Sequence, residues 1–140
     1  MVNVKKLLVD ADVFVALNDQ KDTNYQHAVT LSSLASTSRI PLITSDPAFG
    51  EAITVISQNV NLRQAIDFAE ELLASSIEII EVDSGLRKSG LEIFKKQTSK
   101  NSRFTDCINM AIMEKRGLNT IFSFDIQYKK NKFKRFGIDK

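Results

Sequence analysis

The chain contains little cysteine, histidine or glycine, and each shortage excludes a class of chemistry. Cys107 is the only cysteine and His27 the only histidine among 140 residues. A disulfide within the chain is therefore impossible, and one cysteine with one histidine cannot build a structural zinc site. Both residues lie in helix-like stretches, which predicts a surface position for His27, a buried apolar position for Cys107 and no catalytic triad. The five glycines form no glycine-rich phosphate loop.

Long hydrophobic runs are also absent. The apolar run at residues 7–9 ends at Asp10, too early for the core of a signal peptide or for a membrane span. Together with the lone cysteine, this predicts a cytoplasmic protein with no membrane partner. The length and the ordinary hydrophobic share of 43% predict a single globular domain over residues 1–140.

The charges are divided unevenly along the chain, although the net charge is only +2. Residues 1–86 carry five lysines and arginines against twelve acids, whereas residues 87–140 carry fourteen against five. The densest basic stretch contains Lys129, Lys130, Lys132, Lys134 and Arg135. Such a segment is typical either of a solvated tail or of a surface that contacts a nucleic-acid backbone, and we predict RNA binding for it.

Hydrophobic periodicity predicts short strands that alternate with helices. The predicted strands lie at residues 4–9, 40–43, 77–82 and 119–124, with a short last one at 136–138. The predicted helices lie at 21–37, from 46 to beyond 56, at 62–73, at 84–97 and at 104–116. Asn61 and either Asp83 or Ser84 are expected to cap two helices, and Gly117 to end another. The alternation predicts an α/β fold with a parallel sheet and helices on both faces.

Four acids occur where such a fold gathers side chains at one edge of its sheet. Asp10 and Asp125 directly follow predicted strands, while Glu51 and Asp106 lie in neighbouring predicted helices. Ligands of open parallel sheets bind outside the carboxyl ends of the strands. Carboxylates tolerate each other there when they share a divalent cation, and Mg²⁺ or Mn²⁺ prefers such oxygen ligands. Because a cation held in this way activates water and stabilises charge on phosphate, the four acids predict phosphodiester hydrolysis.

Each acid also has an ordinary structural explanation. Asp10 and Asp125 could form turns after their strands, and Glu51 could be an exposed helix residue. Asp106 could stabilise a helix N-terminus through the helix dipole, with Thr105 as the cap. From spacing alone, the metal site and these explanations both stay open.

Four short motifs resemble the PIN-domain ribonuclease family, in particular its VapC-like toxins. They are residues 7–13 (LLVDADV), 44–51 (TSDPAFGE), 104–111 (FTDCINMA) and 122–128 (FSFDIQY), and their order and spacing agree over nearly the whole chain. The resemblance implies a three-layer α/β/α sandwich around a mostly parallel sheet of about five strands. It also implies an endoribonuclease that cleaves RNA with metal-activated water, the toxin of a toxin–antitoxin pair. A cognate antitoxin and a homodimer are the partners that this family implies.

The family's acidic residues carry over to Asp10, Glu51, Asp106 and Asp125 as the catalytic and metal-binding quartet. Thr105 is expected to cap its helix and help to orient Asp106. Asp12 stands where the family usually has Ser, Thr or Asn, so it adds a negative charge and either supports the ligands or points away. Tyr128 stands where Phe is common. Neither departure removes an essential ligand, so an active enzyme is expected.

Two alternatives from other classes stay open at this point. In a haloacid-dehalogenase-type phosphotransferase, Asp10 would attack phosphate and Asp12 would act as acid and base. That class normally has paired acids near the last strand, whereas Asp125 has no acidic neighbour, and both Glu51 and Asp106 would be idle. The other alternative is a non-enzymatic module that binds RNA or protein through the basic C-terminal third.

Overall fold

Residues 3–140 are described by a computed structural model, in which five parallel strands form the middle of three layers. The strands are β1 (Leu7–Val9), β2 (Leu42–Ser45), β3 (Glu78–Ile80), β4 (Thr120–Phe122) and β5 (Lys134–Arg135). Their order across the sheet is β3-β2-β1-β4-β5, and every neighbouring pair is parallel. Strand β1 therefore occupies the centre of the sheet. Asp10, the next residue, lies at the middle of the edge that is formed by the carboxyl ends of the strands.

Helices cover both faces of this sheet. They are α1 (Ala11–Leu17), α2 (Tyr25–Thr37), α3 (Asp46–Asn59), α4 (Leu62–Ala74), α5 (Ser84–Lys95), α6 (Phe104–Arg116) and α7 (Ile126–Lys130). Side chains of α1 to α4 share one hydrophobic cluster with Leu7 and Val9, whereas α5 to α7 share the other with Leu8. Because successive strand residues point to opposite faces, β1 supplies both clusters. The predicted three-layer α/β/α sandwich is confirmed.

Several predicted helix ends are confirmed by their hydrogen bonds. The side chain of Asn61 accepts from Gln64 N–H at 2.8 Å, and that of Asp83 accepts from Leu86 N–H at 2.8 Å. Such caps stabilise a helix by about 1 kcal/mol each. Gly117 ends α6 with a φ of 67°, a left-handed conformation that favours glycine.

The prediction of a strand at 136–138 is wrong. The last strand is β5 (Lys134–Arg135), which ends immediately before this segment. Gly137 has a φ of 71°, which ends the extended conformation. Phe136 instead packs its ring edge-on against Phe122, with 5.8 Å between the ring centroids. Asp139 then turns back and pairs with the Arg135 guanidinium at 2.9 Å, which fixes the C-terminus beside β5.

Two short helices, α1 and α7, were not predicted. In α1 the run from Ala11 to Leu17 is rich in β-branched and aromatic residues and reads as a continuation of the preceding strand. Asp10 ends that strand locally, because its side chain caps α1 by accepting from Ala11 N–H at 2.7 Å. Helix α7 has five residues, too few to show a helical period.

His27 is exposed and Cys107 is buried, as predicted. No helix within residues 3–140 is both long enough and apolar enough to cross a bilayer.

The close packing of α5 against α6 can be tested by enlarging a small residue at their contact. A Cβ atom at Gly90 would lie 2.7 Å from Ile108 Cδ1. Alanine is favoured over glycine in a helix by about 0.5–1 kcal/mol, but overpacking costs about 1–3 kcal/mol. We therefore expect Gly90→Ala to lower the free energy of unfolding by roughly 1–2 kcal/mol in urea titrations.

The control is the same substitution in an Ile108→Val background, which lacks the clashing atom. There Gly90→Ala is expected to be neutral or stabilising. If the two substitutions were additive, the close approach of the two helices would not explain the effect.

Candidate active site

Two of the acids, Asp10 and Asp125, come after strands and therefore lie at the carboxyl edge of the sheet. Each also caps the helix that follows it. Asp10 follows β1 and caps α1, while Asp125 lies beyond β4 and caps α7, accepting from Gln127 N–H at 2.9 Å. Glu51 lies in the second turn of α3 and Asp106 in the first turn of α6. Burial raises the pKa of both Glu51 and Asp106, and the negative charge of Asp10 raises both further. Asp125 likewise raises the pKa of Asp10, so each of the other three acids lies close enough to Asp10 for their negative charges to repel.

Asp10 is deeply set, with only 6% of its surface exposed. Its Oδ1 atom accepts hydrogen bonds from Ala11 N–H at 2.7 Å and from Asn109 Nδ2 at 3.2 Å. Its Oδ2 atom accepts from the Tyr128 hydroxyl at 2.6 Å. These bonds favour the charged form, so the carboxylate is fixed in position on both oxygens.

Tyr128 connects Asp10 to the rest of the site. Its buried hydroxyl lies 3.4 Å from Asp106 Oδ1 and accepts from Asn109 Nδ2 at 3.0 Å. Asn109 in turn accepts from the Ser45 hydroxyl at 2.7 Å. The hydroxyl therefore stands between the two carboxylates, and α6, α7 and the end of β2 are joined by one buried polar network.

Asp106 is oriented by the backbone of its own helix. Its Oδ2 atom accepts from Arg103 N–H at 3.3 Å, and Arg103 is the N-cap residue of α6. The prediction that Thr105 caps this helix is wrong, because Thr105 is the second residue inside it. The third helical position suits an acid that reaches back to the N-cap backbone, which is the role that Asp106 takes.

Asp12 points toward β4 and the turn that follows it. Its Oδ2 atom accepts from Phe124 N–H at 2.8 Å and from the Ser123 hydroxyl at 3.0 Å, so it joins α1 to the turn that carries Asp125. Its Oδ1 atom is buried and has no hydrogen-bond partner among the described residues. Asp12 therefore supports the site and leaves one buried oxygen unsatisfied.

Glu51 is partly exposed and contacts a cation. Its Oε1 atom lies 3.4 Å from Arg103 Nη1, and the two side chains are 32% and 67% exposed. Burial and the charge of Asp10 raise the pKa of Glu51, while Arg103 acts in the opposite direction. An ion pair this open to solvent stabilises by about 0–1 kcal/mol, so Arg103 can leave Glu51 at little cost.

The site holds several negatively charged side chains close together in a buried environment. Burial raises the pKa of Asp106 to about 7, and the charges of Asp10 and Asp125 add to the shift. Burial and the charge of Asp10 likewise raise the pKa of Asp12 to about 7. The pKa of Asp10 is also raised, because burial outweighs its hydrogen bonds. The folded protein therefore holds several carboxylates in an environment that opposes their charge.

The donor atoms at this edge fit a hard divalent cation in their chemistry. All are carboxylate oxygens that repel one another, and Asp12, with its unsatisfied Oδ1 atom, is close enough for Asp10 and Asp125 to raise its pKa. Within residues 3–140, no three His, Cys, Asp or Glu side chains are grouped closely enough to hold an ion in their present rotamers. The Tyr128 hydroxyl lies between Asp10 and Asp106, so side-chain rotation there would be needed to close a ligand set.

The predicted basic segment begins in α7, the helix that Asp125 caps, and runs to the amino end of the neighbouring strand. Lys134 pairs in register with Thr120, the first residue of β4, whereas Asp125 follows the other end of that strand. Arg135 is only 13% exposed and is bound to Asp139 and to the Phe124 carbonyl. The structure gives Arg135 a role inside the protein, and the four lysines remain as candidates for contact with RNA.

Two functional residues, Tyr128 and Asn109, were missed by the sequence reasoning as parts of the site. Tyr128 was noted only as an aromatic residue in a place where Phe is common. The available signal was the extra hydroxyl, because a buried tyrosine needs a hydrogen-bond partner. Asn109 lies one helical turn after Asp106, which puts the two side chains on the same face of α6.

The fold and the acidic edge define a class of protein. The sequence profile of the PIN domain family matches residues 7–134, a range that contains all four acids. The chain belongs to the PIN domain family. PIN-domain nucleases generally use divalent metal ions, and this membership removes the phosphotransferase alternative.

Among characterised proteins, the chain is similar to the 23S rRNA-specific endonuclease VapC20 from two strains of Mycobacterium tuberculosis. The identity is 24% over 120 residues, which cover 85% of this chain and 88% of that protein. The crystal structure of Mycobacterium tuberculosis VapC20, a Sarcin-Ricin loop cleaving toxin, matches with a TM-score of 0.80 at 22% identity. The match covers 91% of this chain and 96% of that one, and it establishes the same fold.

Removing the Tyr128 hydroxyl tests whether the network positions the acids or is needed for the reaction. Loss of a buried hydrogen bond to a charged group costs about 1.5–3 kcal/mol, so Tyr128→Phe should lower the free energy of unfolding in EDTA by that amount. Because the hydroxyl orients Asp10 and is not itself a proposed metal ligand, RNA cleavage should persist within about tenfold, or about 1.4 kcal/mol in the barrier.

Tyr25→Phe on α2 is the matched control and should leave both measurements unchanged. A Tyr128→Phe protein that is as stable as the wild type but inactive would show that the hydroxyl takes part in the reaction itself.

The confined carboxylates also predict a pH dependence of stability. The pKa values of Asp12 and Asp106 are raised above those of the unfolded chain, so the folded protein binds more protons between about pH 4 and pH 7. Stability in EDTA should therefore fall as the pH rises through this range. Asp10→Asn removes one of the repelling charges and should raise the melting temperature at pH 8 by several degrees, about 3–5 °C per kcal/mol.

Glu114→Gln removes an exposed acid near the other end of α6 and should follow the wild-type profile. Melting curves in EDTA at pH 5, 6, 7 and 8 make the comparison. If Asp10→Asn melts lower than the wild type at pH 8, the bonds that Asp10 accepts outweigh the repulsion between it and the other acids.

Proposed function

We propose that this protein is a metal-dependent endoribonuclease, formed by a single nuclease domain over residues 1–140, and the toxin component of a toxin–antitoxin pair. The observation that carries the proposal is that Glu51, Asp106 and Asp125 lie close enough to the buried Asp10 for their charges to interact, at the carboxyl edge of a PIN-family sheet. The relatives that the chain matches are named as RNA endonucleases, which supports RNA as the substrate.

Asp10 and Asp106 are the proposed principal ligands, because both are buried and their side chains contact the same hydroxyl. Glu51 and Asp125 complete the quartet, directly or through water. Mg²⁺ or Mn²⁺ suits these oxygen donors. When bound, such an ion makes water nucleophilic near neutral pH and balances negative charge on the phosphate.

The protein's own residues have defined tasks in this proposal. Tyr128 and Asn109 hold the Asp10 carboxylate so that its orientation is set before substrate arrives. Arg103 holds Glu51 through a single weak contact that phosphate oxygens can displace. Because Asp10 is buried, its electrostatic interactions with neighbouring groups are stronger than they would be in water.

The substrate proposed for first testing is ribosomal RNA, because VapC20 is named as specific for 23S rRNA. The cytoplasm is the proposed location for such a substrate. A cognate antitoxin that covers the acidic edge with a basic side chain and a homodimer of this chain are the proposed partners. Light scattering at micromolar concentration tests the dimer, and a monomeric mass would remove it.

The central test is cleavage of intact ribosomes and of total RNA, with Mg²⁺ or Mn²⁺ and then with EDTA. Wild-type protein should give discrete cuts that require the cation. Asp10→Asn and Asp106→Asn should each lose activity at least about 100-fold, since even residues that only support metal ligands cost 10–100-fold when changed. Primer extension maps the cut positions.

Glu114→Gln is the control for removal of an acid and should cleave as the wild type does. If folded wild-type protein cleaves nothing, the non-enzymatic binding module becomes the better interpretation. If Asp10→Asn cleaves as the wild type does, the quartet has no catalytic role.

A further inference from the structure

A cleft of about 520 Å³ opens directly beside the acidic edge. One wall is the loop at residues 100–103, which leads into α6, and the other is the start of α7 at residues 125–127. Asp125 of the proposed quartet belongs to this second wall. The cleft is therefore continuous with the site where the phosphodiester bond is proposed to be cut.

Buried and half-buried polar side chains hold the two walls together. The Ser102 hydroxyl lies 3.0 Å from Gln97 Oε1 and 3.1 Å from Gln127 Oε1. Gln97 is also paired with Asn131 through two amide contacts of 2.9 and 3.0 Å. The loop is thus tied to the end of α5 and to α7, so the shape of the cleft is set before any ligand arrives.

The cationic side chains of the loop are free to meet an anion. Lys100 is exposed, and Arg103 is 67% exposed with only the weak contact to Glu51. Ile126, on the opposite wall, is 43% exposed and offers an apolar surface. Two cations on one wall and an apolar side chain on the other suit a nucleotide, whose phosphate is charged and whose sugar and base are not.

We propose that this cleft binds the nucleotide next to the scissile phosphate, with Lys100 and Arg103 contacting the RNA backbone. The proposal rests on the proposed ribonuclease function and adds where the substrate lies. It also explains why Arg103, at the end of the loop, lies beside Glu51 of the proposed quartet. Lys134 of the basic segment is less suited, because it pairs in register with Thr120 at the amino end of β4.

The test separates binding from cleavage by using the Asp10→Asn protein as the parent. Its affinity for a fluorescein-labelled single-stranded oligoribonucleotide of mixed sequence is measured by anisotropy in EDTA, at several salt concentrations. Adding Lys100→Ala or Arg103→Ala should weaken binding about 3–10-fold. Each should also lower the slope of log affinity against log salt by about 0.7, the value for one phosphate contact to a single strand.

Two further variants serve as comparisons. Lys5→Ala removes an exposed lysine that precedes β1 at the opposite edge of the sheet, and it should bind as the parent does. Ser102→Ala loosens the loop without changing its charge, so it should weaken binding while keeping the parent's salt slope.

Three results would overturn the proposal. The first is that Lys100→Ala and Arg103→Ala bind RNA as tightly as the parent does. The second is that Lys5→Ala loses as much affinity as they do. The third is a loss confined to a variant in which the lysines at 129, 130, 132 and 134 are replaced together. Each can occur while the wild type still cleaves RNA, so failure of this proposal is distinguishable from failure of the nuclease function.

Discussion

The mutual repulsion of carboxylates around Asp10 is the constraint on which the site depends. Asp10 lies at the end of the central strand, so the elements that follow β2 and β4 approach it from either side. Burial and neighbouring charges raise the pKa values of Asp12 and Asp106 to about 7. A fold that only needed stability would have no reason to gather these groups. The arrangement therefore supports the proposed cation site.

Much of the fold follows from the sequence because the strands at the middle of the sheet, β1 and β4, are buried on both faces. The run Leu7–Val9 is wholly apolar, and Thr120–Phe122 contains only β-branched and aromatic residues, so both predict buried strands without any alternation. Caps such as Asn61 and Asp83 mark helix starts through one local hydrogen bond each. The wrong or missing predictions also have local causes. The five residues of α7 are too few for a pattern, and the turn at Gly137 moved the last strand two residues earlier than predicted.

The candidate site was predicted in its acids but not in its network, and the reason is physical. Carboxylates that follow strands can be placed at an edge by topology alone. The contact of Tyr128 with Asp10 joins residues 118 positions apart and depends on how α7 packs beneath the edge. Thr105 illustrates the opposite error, a contact that is predicted but not made. Its hydroxyl makes it a plausible helix cap, but Arg103 is the N-cap residue, and its backbone N–H donates to Asp106. A single sequence shows which groups are available but does not show which of them meet.

The hydrogen bonds of Asp10 and the proposed cation solve different parts of the same problem. Tyr128 and Asn109 direct protons at both oxygens of Asp10, yet they are neutral and leave the total negative charge of the site unchanged. They can therefore fix geometry but cannot remove the repulsion that reaches Asp106 and Asp12. Arg103 carries a positive charge, but its side-chain contact is with Glu51, which is partly exposed to solvent. A divalent cation is positive and small enough to enter the buried edge, so it can relieve Asp10 and Asp106 together while both carboxylates stay ionised.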